Sequence, residues 1–153
     1  MDKPRFETRP VFTVAGPRYY GKNENSEIKQ MWDERWPEIE SVPDQVDSDV
    51  CYGVCITGEE EHGPFTYIAG MEVDSVDELP AELAHIEIPE QTYAVFRTTL
   101  PEIGKSYDYI YGEWLPKSGY RRAPGPEFEL YPETFDPDNP QSLFDLYVPV
   151  VKE

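Results

Sequence analysis

The chain has 153 residues, enough for one domain that buries roughly 70% of its unfolded surface. Its 31 acids against 13 bases give a net charge of -18, which repels phosphate backbones and excludes nucleic-acid binding in trans. The same charge favours cationic ligands or a basic protein partner, and 14% aromatic content supplies large rings with polar handles.

Residues Phe6 to Arg18 read as one extended segment, broken at Gly16-Pro17. Asn25 or Ser26 is then expected to cap a helix from Glu27, with Ile28, Met31, Trp32 and Ile39 near a helical stripe. Pro37 lacks an amide hydrogen, so a kink or a stop is expected at Trp36. Two strands follow, Val50–Thr57 and Phe65–Val73, joined by a polar hairpin turn over Gly58–Pro64. An acidic linker, Asp74 to Glu82, closes this half.

The order then repeats. Ala84–Ile88 and Gln91–Thr99 read as strands, and Pro101 opens a helix. That helix carries Ile103, Tyr107, Ile110, Tyr111 and Trp114 at three- and four-residue spacing, and it ends at Pro116 and Ser118-Gly119. Strands Glu127–Tyr131 and Phe144–Val150 complete the chain. Both halves, about residues 6–73 and 84–151, therefore read strand, helix, strand, strand. The expected fold is α+β, with the two sheets joined edge to edge, both helices on one face and a ligand crevice between the halves.

Strand alternation over Glu127–Tyr131 sends Phe128 and Leu130 to one face and Glu127, Glu129 and Tyr131 to the other. A carboxylate on an aromatic-walled face either stays hydrated or waits for a cation. Glu127, nearer the strand end, is expected to be solvated, and so is Glu113, which lies off the apolar helix stripe. Cys51 and Cys55 are about 13 Å apart along a strand, too far for a disulfide, and read as reduced core thiols. With His62 and His85 they show no metal-ligand spacing, and no cofactor motif or nucleophile–His pairing is present. No apolar run is long enough to span a bilayer, and the first residues lack a signal-peptide core, so a cytoplasmic location is expected.

Segments Trp114-Leu115-Pro116-Lys117-Ser118-Gly119-Tyr120 and Phe128-Glu129-Leu130-Tyr131-Pro132, with the closing Val148-Pro149-Val150, resemble the GyrI-like effector-binding superfamily. Met31 to Pro37, Tyr52-Gly53-Val54 and Tyr67-Ile68-Ala69-Gly70 extend the resemblance upstream. It implies a duplicated βαββ unit with pseudo-twofold symmetry and a central cleft. It also implies drug or effector binding of the kind found in AraC- and MerR-class regulators, with a buried glutamate, here Glu129, meeting a cation inside an aromatic cage. Candidate cage residues are Trp32, Trp36, Tyr67, Tyr107, Tyr111 and Trp114. Without a helix-turn-helix segment, a stand-alone sensor or sequestering protein for lipophilic cations is expected, with no direct DNA contact and a regulator or basic enzyme as a protein partner. Two alternatives accompany it: a hydrolase of strained cyclopropane-type toxins with Glu129 as base, and an acidic gyrase-inhibitor-like interaction protein.

Overall fold

The computed structural model describes residues 3–57 and 63–153. His62 and most of the Gly58–Pro64 turn lie outside the described residues. The strands are β1 (Arg5–Arg9), β2 (Phe12–Gly16), β3 (Arg18–Gly21), β4 (Cys51–Ile56), β5 (Phe65–Val73), β6 (Ala84–Ile88), β7 (Gln91–Thr98), β8 (Tyr120–Arg122), β9 (Glu127–Tyr131) and β10 (Phe144–Lys152). Helix α1 spans Glu27–Glu40. The second helix is composite: α2 (Ile103–Tyr109), a π-helical turn over Ile110–Trp114, and α3 (Leu115–Lys117).

All pairings are antiparallel, in the order β1-β7-β10-β9-β4-β5-β2-β6, with β3 also on β5 and β8 also on β10. The order is symmetric about the β4–β9 pair, as a duplicated βαββ unit requires. The leading segment, expected from its alternation to run as one extended strand, is instead split in two. Pro10 ends β1, which joins β7 at one end of the sheet, while β2 starts at Phe12 and pairs with β5 near the other. The reciprocal crossing occurs at β6, which pairs with β2 before β7 returns to the far half.

One sheet face carries both helices. Met31 and Ile39 of α1 pack on Tyr67, Ala69 and Met71 of β5. Ile103, Tyr107 and Ile110 pack on Phe96, Phe144, Leu146 and Val148 of β7 and β10. The opposite face closes on itself. Phe12 and Phe128 lie three strands apart, about 14 Å in a flat sheet, yet their rings meet at 5.4 Å. Curling of this degree lets Phe12, Tyr52, Tyr93, Phe128 and Tyr147 form a core without a covering layer. Arg9 seals it, its guanidinium 4.4 Å from the Phe12 ring centroid and hydrogen-bonded to the Tyr52 hydroxyl at 3.0 Å.

Helix α1 departs from expectation at both ends. It does not stop at Trp36 but carries Pro37 inside and continues to Glu40. Buried Ile39 anchors the last turn against β5, which offsets the missing hydrogen bond. At its start Ser26 makes no side-chain cap and takes a left-handed φ of 61°. Asn23 supplies the cap instead, its Oδ1 accepting from the Ile28 amide at 3.0 Å. No described helix is long and apolar enough to cross a membrane.

Where β2 bends into β3, Gly16 and Gly70 let two backbones approach closely. A Cβ added at Gly70 would lie 2.1 Å from the Ala15 carbonyl oxygen, and one at Gly16 would lie 1.9 Å from that of Ala69. Backbone atoms cannot yield as side-chain tips can, so Gly70→Ala is expected to cost about 1–3 kcal/mol. Thermal unfolding checks this, with a melting temperature lowered by several degrees; an unchanged melt overturns the assignment.

Candidate functional site

The central pairing sets Gly53 of β4 opposite Glu129 of β9, flanked by Cys55 opposite Glu127 and Cys51 opposite Tyr131. Directly paired residues share a face, so all six side-chain positions point towards the helices. α1 packs on β5 to one side of this seam and the second helix packs on β7 and β10 to the other, so Gly53 and Glu129 lie between the two helices. The glycine leaves the space that Tyr67 and Glu129 occupy. A Cβ at position 53 would lie 2.0 Å from the Tyr67 hydroxyl oxygen and 2.6 Å from Glu129 Oε1.

Glu129 is only 8% exposed. The Tyr67 hydroxyl donates to its Oε1 at 2.8 Å, and the Tyr131 hydroxyl donates to the same oxygen at 2.7 Å. Trp32 Nε1 in turn donates to the Tyr67 oxygen at 3.0 Å, forming a relay from indole to phenol to carboxylate. The Trp32 ring meets Tyr131 edge-on at 5.7 Å. Among the described residues, no lysine or arginine lies within ion-pair distance of Glu129, and no donor reaches its Oε2. Burial raises the Glu129 carboxyl above its ordinary range; the hydroxyls of Tyr131 and Tyr67 oppose that rise, and the neighbouring Glu127 adds to it. Burial and the Glu129 charge push the Tyr67 and Tyr131 phenols well up, which keeps both as donors.

The candidate aromatics divide into four groups. Trp32 and Tyr67 belong to the Glu129 relay. Trp36 lies next to Trp32 at 6.5 Å and is 40% exposed, at the rim. Tyr107 and Tyr111 stack at 6.4 Å on the α2 side, where the Tyr111 hydroxyl donates to Glu127 Oε2. Trp114 lies away from Glu129. It packs edge-on against Phe96 at 5.1 Å and beside Tyr120 and Phe6. The π-helical turn ending at Trp114 is the reason: Leu115 bonds back to Ile110, five residues away, so Trp114 is rotated relative to Tyr107.

Glu127 is not the solvated strand-end acid its position suggests. Besides Tyr111, it faces Arg122 of β8, whose Nη2 lies 3.8 Å from Oε2. Burial raises its carboxyl, opposed by the Tyr111 hydroxyl and Arg122. Tyr131 is the site residue absent from the expected cage; its place on the Glu129 face was already given by alternation. Arg122 was hidden because three residues after a glycine give no strand signal. Glu113 is exposed. The thiols of Cys51 and Cys55 are free and half-buried against the cluster under α1. Burial pushes Cys51 up to about 11, so it is a neutral wall and not a nucleophile. A cavity of about 530 Å³ opens beside Glu127, lined also by Thr57, Tyr111, Arg122 and Pro124.

Residues 5–150 match the family described as Cass2, integron-associated effector binding protein. The transcriptional regulator BrlR of Pseudomonas aeruginosa is 34% identical over 149 residues, covering 95% of this chain. That alignment takes in 54% of BrlR, so the chain spans about half the length of this curated relative. SAV2435, solved bound to tetraphenylphosphonium, has a TM-score of 0.76 at 17% identity, over 98% of this chain and 94% of that one. The Vibrio cholerae integron cassette protein VCH_CASS2 has a TM-score of 0.68 at 17% identity, over 98% and 97%. The EcmrR C-terminal domain has one of 0.72 at 14% identity, over 99% and 98%. At such identities the likeness is one of fold. Together with the match along almost the whole sequence, it places the chain in the Cass2, GyrI-like family of effector-binding proteins.

Proposed function

We propose that this protein binds lipophilic cations in the cleft between α1 and α2, as a sensing or sequestering module, with Glu129 as the counter-ion. The observation that carries the reading is a carboxylate buried over the seam and met only by neutral hydroxyl donors among the described residues. Such a group is costly to ionise when alone, and a desolvated cation restores the pairing. Trp32, Tyr67, Tyr131 and the Tyr107–Tyr111 pair supply ring faces and edges, each cation–π contact contributing about 0.5–2 kcal/mol. Rings read shape loosely, so breadth among flat or propeller-shaped cations follows. SAV2435, which shares the fold, was solved with tetraphenylphosphonium, a ligand of this class. The kinship with BrlR and EcmrR supports a regulatory setting.

Titration with tetraphenylphosphonium, followed by tryptophan fluorescence, is expected to give saturable quenching that neutral triphenylphosphine oxide does not. Glu129→Gln keeps an oxygen for both hydroxyls, so the fold should persist while affinity falls at least tenfold, or about 1.4 kcal/mol. Equal affinity in the variant would overturn the charge-pairing reading.

The raised Glu129 carboxyl fixes two pH dependences. Cation binding favours the carboxylate, so affinity should fall as pH drops through the raised value, and binding should release protons. Stability of the empty protein runs the other way. The folded state holds this proton more tightly than the unfolded chain, so stability decreases as pH rises from the ordinary carboxyl value to the raised one. Glu129→Gln should therefore melt at or above the wild-type temperature at about pH 7.5, with a smaller gain at about pH 5. A variant that melts lower at neutral pH would show that the ionised group stabilises the fold.

A further inference from the structure

Glu127 and Glu129 lie two residues apart on one strand face, yet they are neutralised in different ways. Glu129 meets hydroxyls alone among the described residues, whereas Glu127 faces a guanidinium. That guanidinium is part of the fold. Arg122 Nη2 donates to the Gly125 carbonyl at 3.0 Å, Nη1 donates to the Ala123 carbonyl, and Nε donates to the Tyr111 oxygen at 3.2 Å. Gly125, with φ of 118°, turns the chain so that its carbonyl faces back to Arg122. The side chain is about a quarter exposed and forms a wall of the 530 Å³ cavity beside Glu127.

We infer that Arg122 is a specificity-determining residue: a resident cation that occupies the counter-charge of Glu127, so that the cleft offers one carboxylate and selects monocations over dications. The inference rests on the cation-binding reading of Glu129 given above. Without Arg122, two carboxylates spaced about 7 Å apart along β9 would face the same cleft. That spacing suits a flat aromatic dication with charges at its two ends. With Arg122 in place, the second charge of such a ligand meets a fixed guanidinium at the cavity mouth and is repelled. The three acceptors other than Glu127 explain why a ligand does not simply displace the arginine. Withdrawing it would break bonds to Ala123, Gly125 and Tyr111 as well as the ion pair.

The test uses the full chain and two probes, tetraphenylphosphonium as the monocation and methyl viologen as the flat dication, both followed by calorimetry. The wild type should bind the first and bind the second weakly. Arg122→Gln should raise the ratio of methyl viologen to tetraphenylphosphonium affinity at least tenfold, because the uncovered Glu127 pairs with the second charge that only the dication carries. The double variant Arg122→Gln, Glu127→Gln should lose that gain, and Arg122→Lys, which keeps the charge, should continue to reject the dication. Arg122→Met serves as a second neutral variant, retaining the stem as a cavity wall if the glutamine form does not fold. An unchanged ratio of the two affinities in the folded neutral variants, with Glu129→Gln still weakening tetraphenylphosphonium, overturns the role of Arg122 and leaves the cation site standing. Loss of neither ligand in Glu129→Gln overturns the reading beneath it.

Discussion

Everything in this molecule is arranged around a carboxylate buried where the two halves of the sheet meet. The β4–β9 pair joins them, and Glu129 stands directly opposite a glycine on that pair. Any side chain at position 53 would collide with Glu129 or with the tyrosine that holds it. The backbone of β4 is therefore bare so that Tyr67 can reach across from β5. The aromatic helix α1 then fixes that tyrosine through the Trp32 indole. Each layer of support exists to keep an acid in a place where water would otherwise be the better partner.

The two acids of β9 show how neighbouring identical groups acquire different chemistry from their surroundings. Both have raised carboxyl pKa values because of burial, but the groups that oppose the rise differ. Around Glu129 they are neutral phenols, which hold the ionised form without cancelling its charge. Around Glu127 they are a phenol and a guanidinium, the second of which opposes its charge directly. Alternation along a strand delivers both groups to one face. It is the local partners, drawn from β5 on one side and β8 on the other, that separate their roles.

Much of this arrangement was legible in the sequence. The alternation of Glu127–Tyr131 and the resemblance together picked out Glu129, and the apolar stripes located both helices. What escaped was set by distant pairing or by backbone irregularity. The split of the leading segment into β1 and β2, on opposite ends of the sheet, is decided by which edges are open, and no local periodicity encodes that. Trp114 lies on the stripe of a regular helix, but one π-helical turn is enough to move it to the far side. The solvated assignment of Glu127 failed because its partner Arg122 sits on a three-residue strand that exists only through its pairing with β10. Helix α1 passes through Pro37 because tertiary burial of Ile39 outweighs a local rule.

The exchange of outer strands has a consequence for how such a chain is put together. β1 belongs by sequence to the first half and β6 to the second, yet each completes the edge of the other. A polypeptide carrying one half alone would leave an unpaired strand and an open edge of matching shape. Two such polypeptides would satisfy each other by trading those strands. The present molecule is in this sense a swapped dimer written into a single chain. Because the two halves share one chain they need not stay alike: at the seam where they meet, β9 carries Glu129 and β4 carries Gly53 directly opposite it.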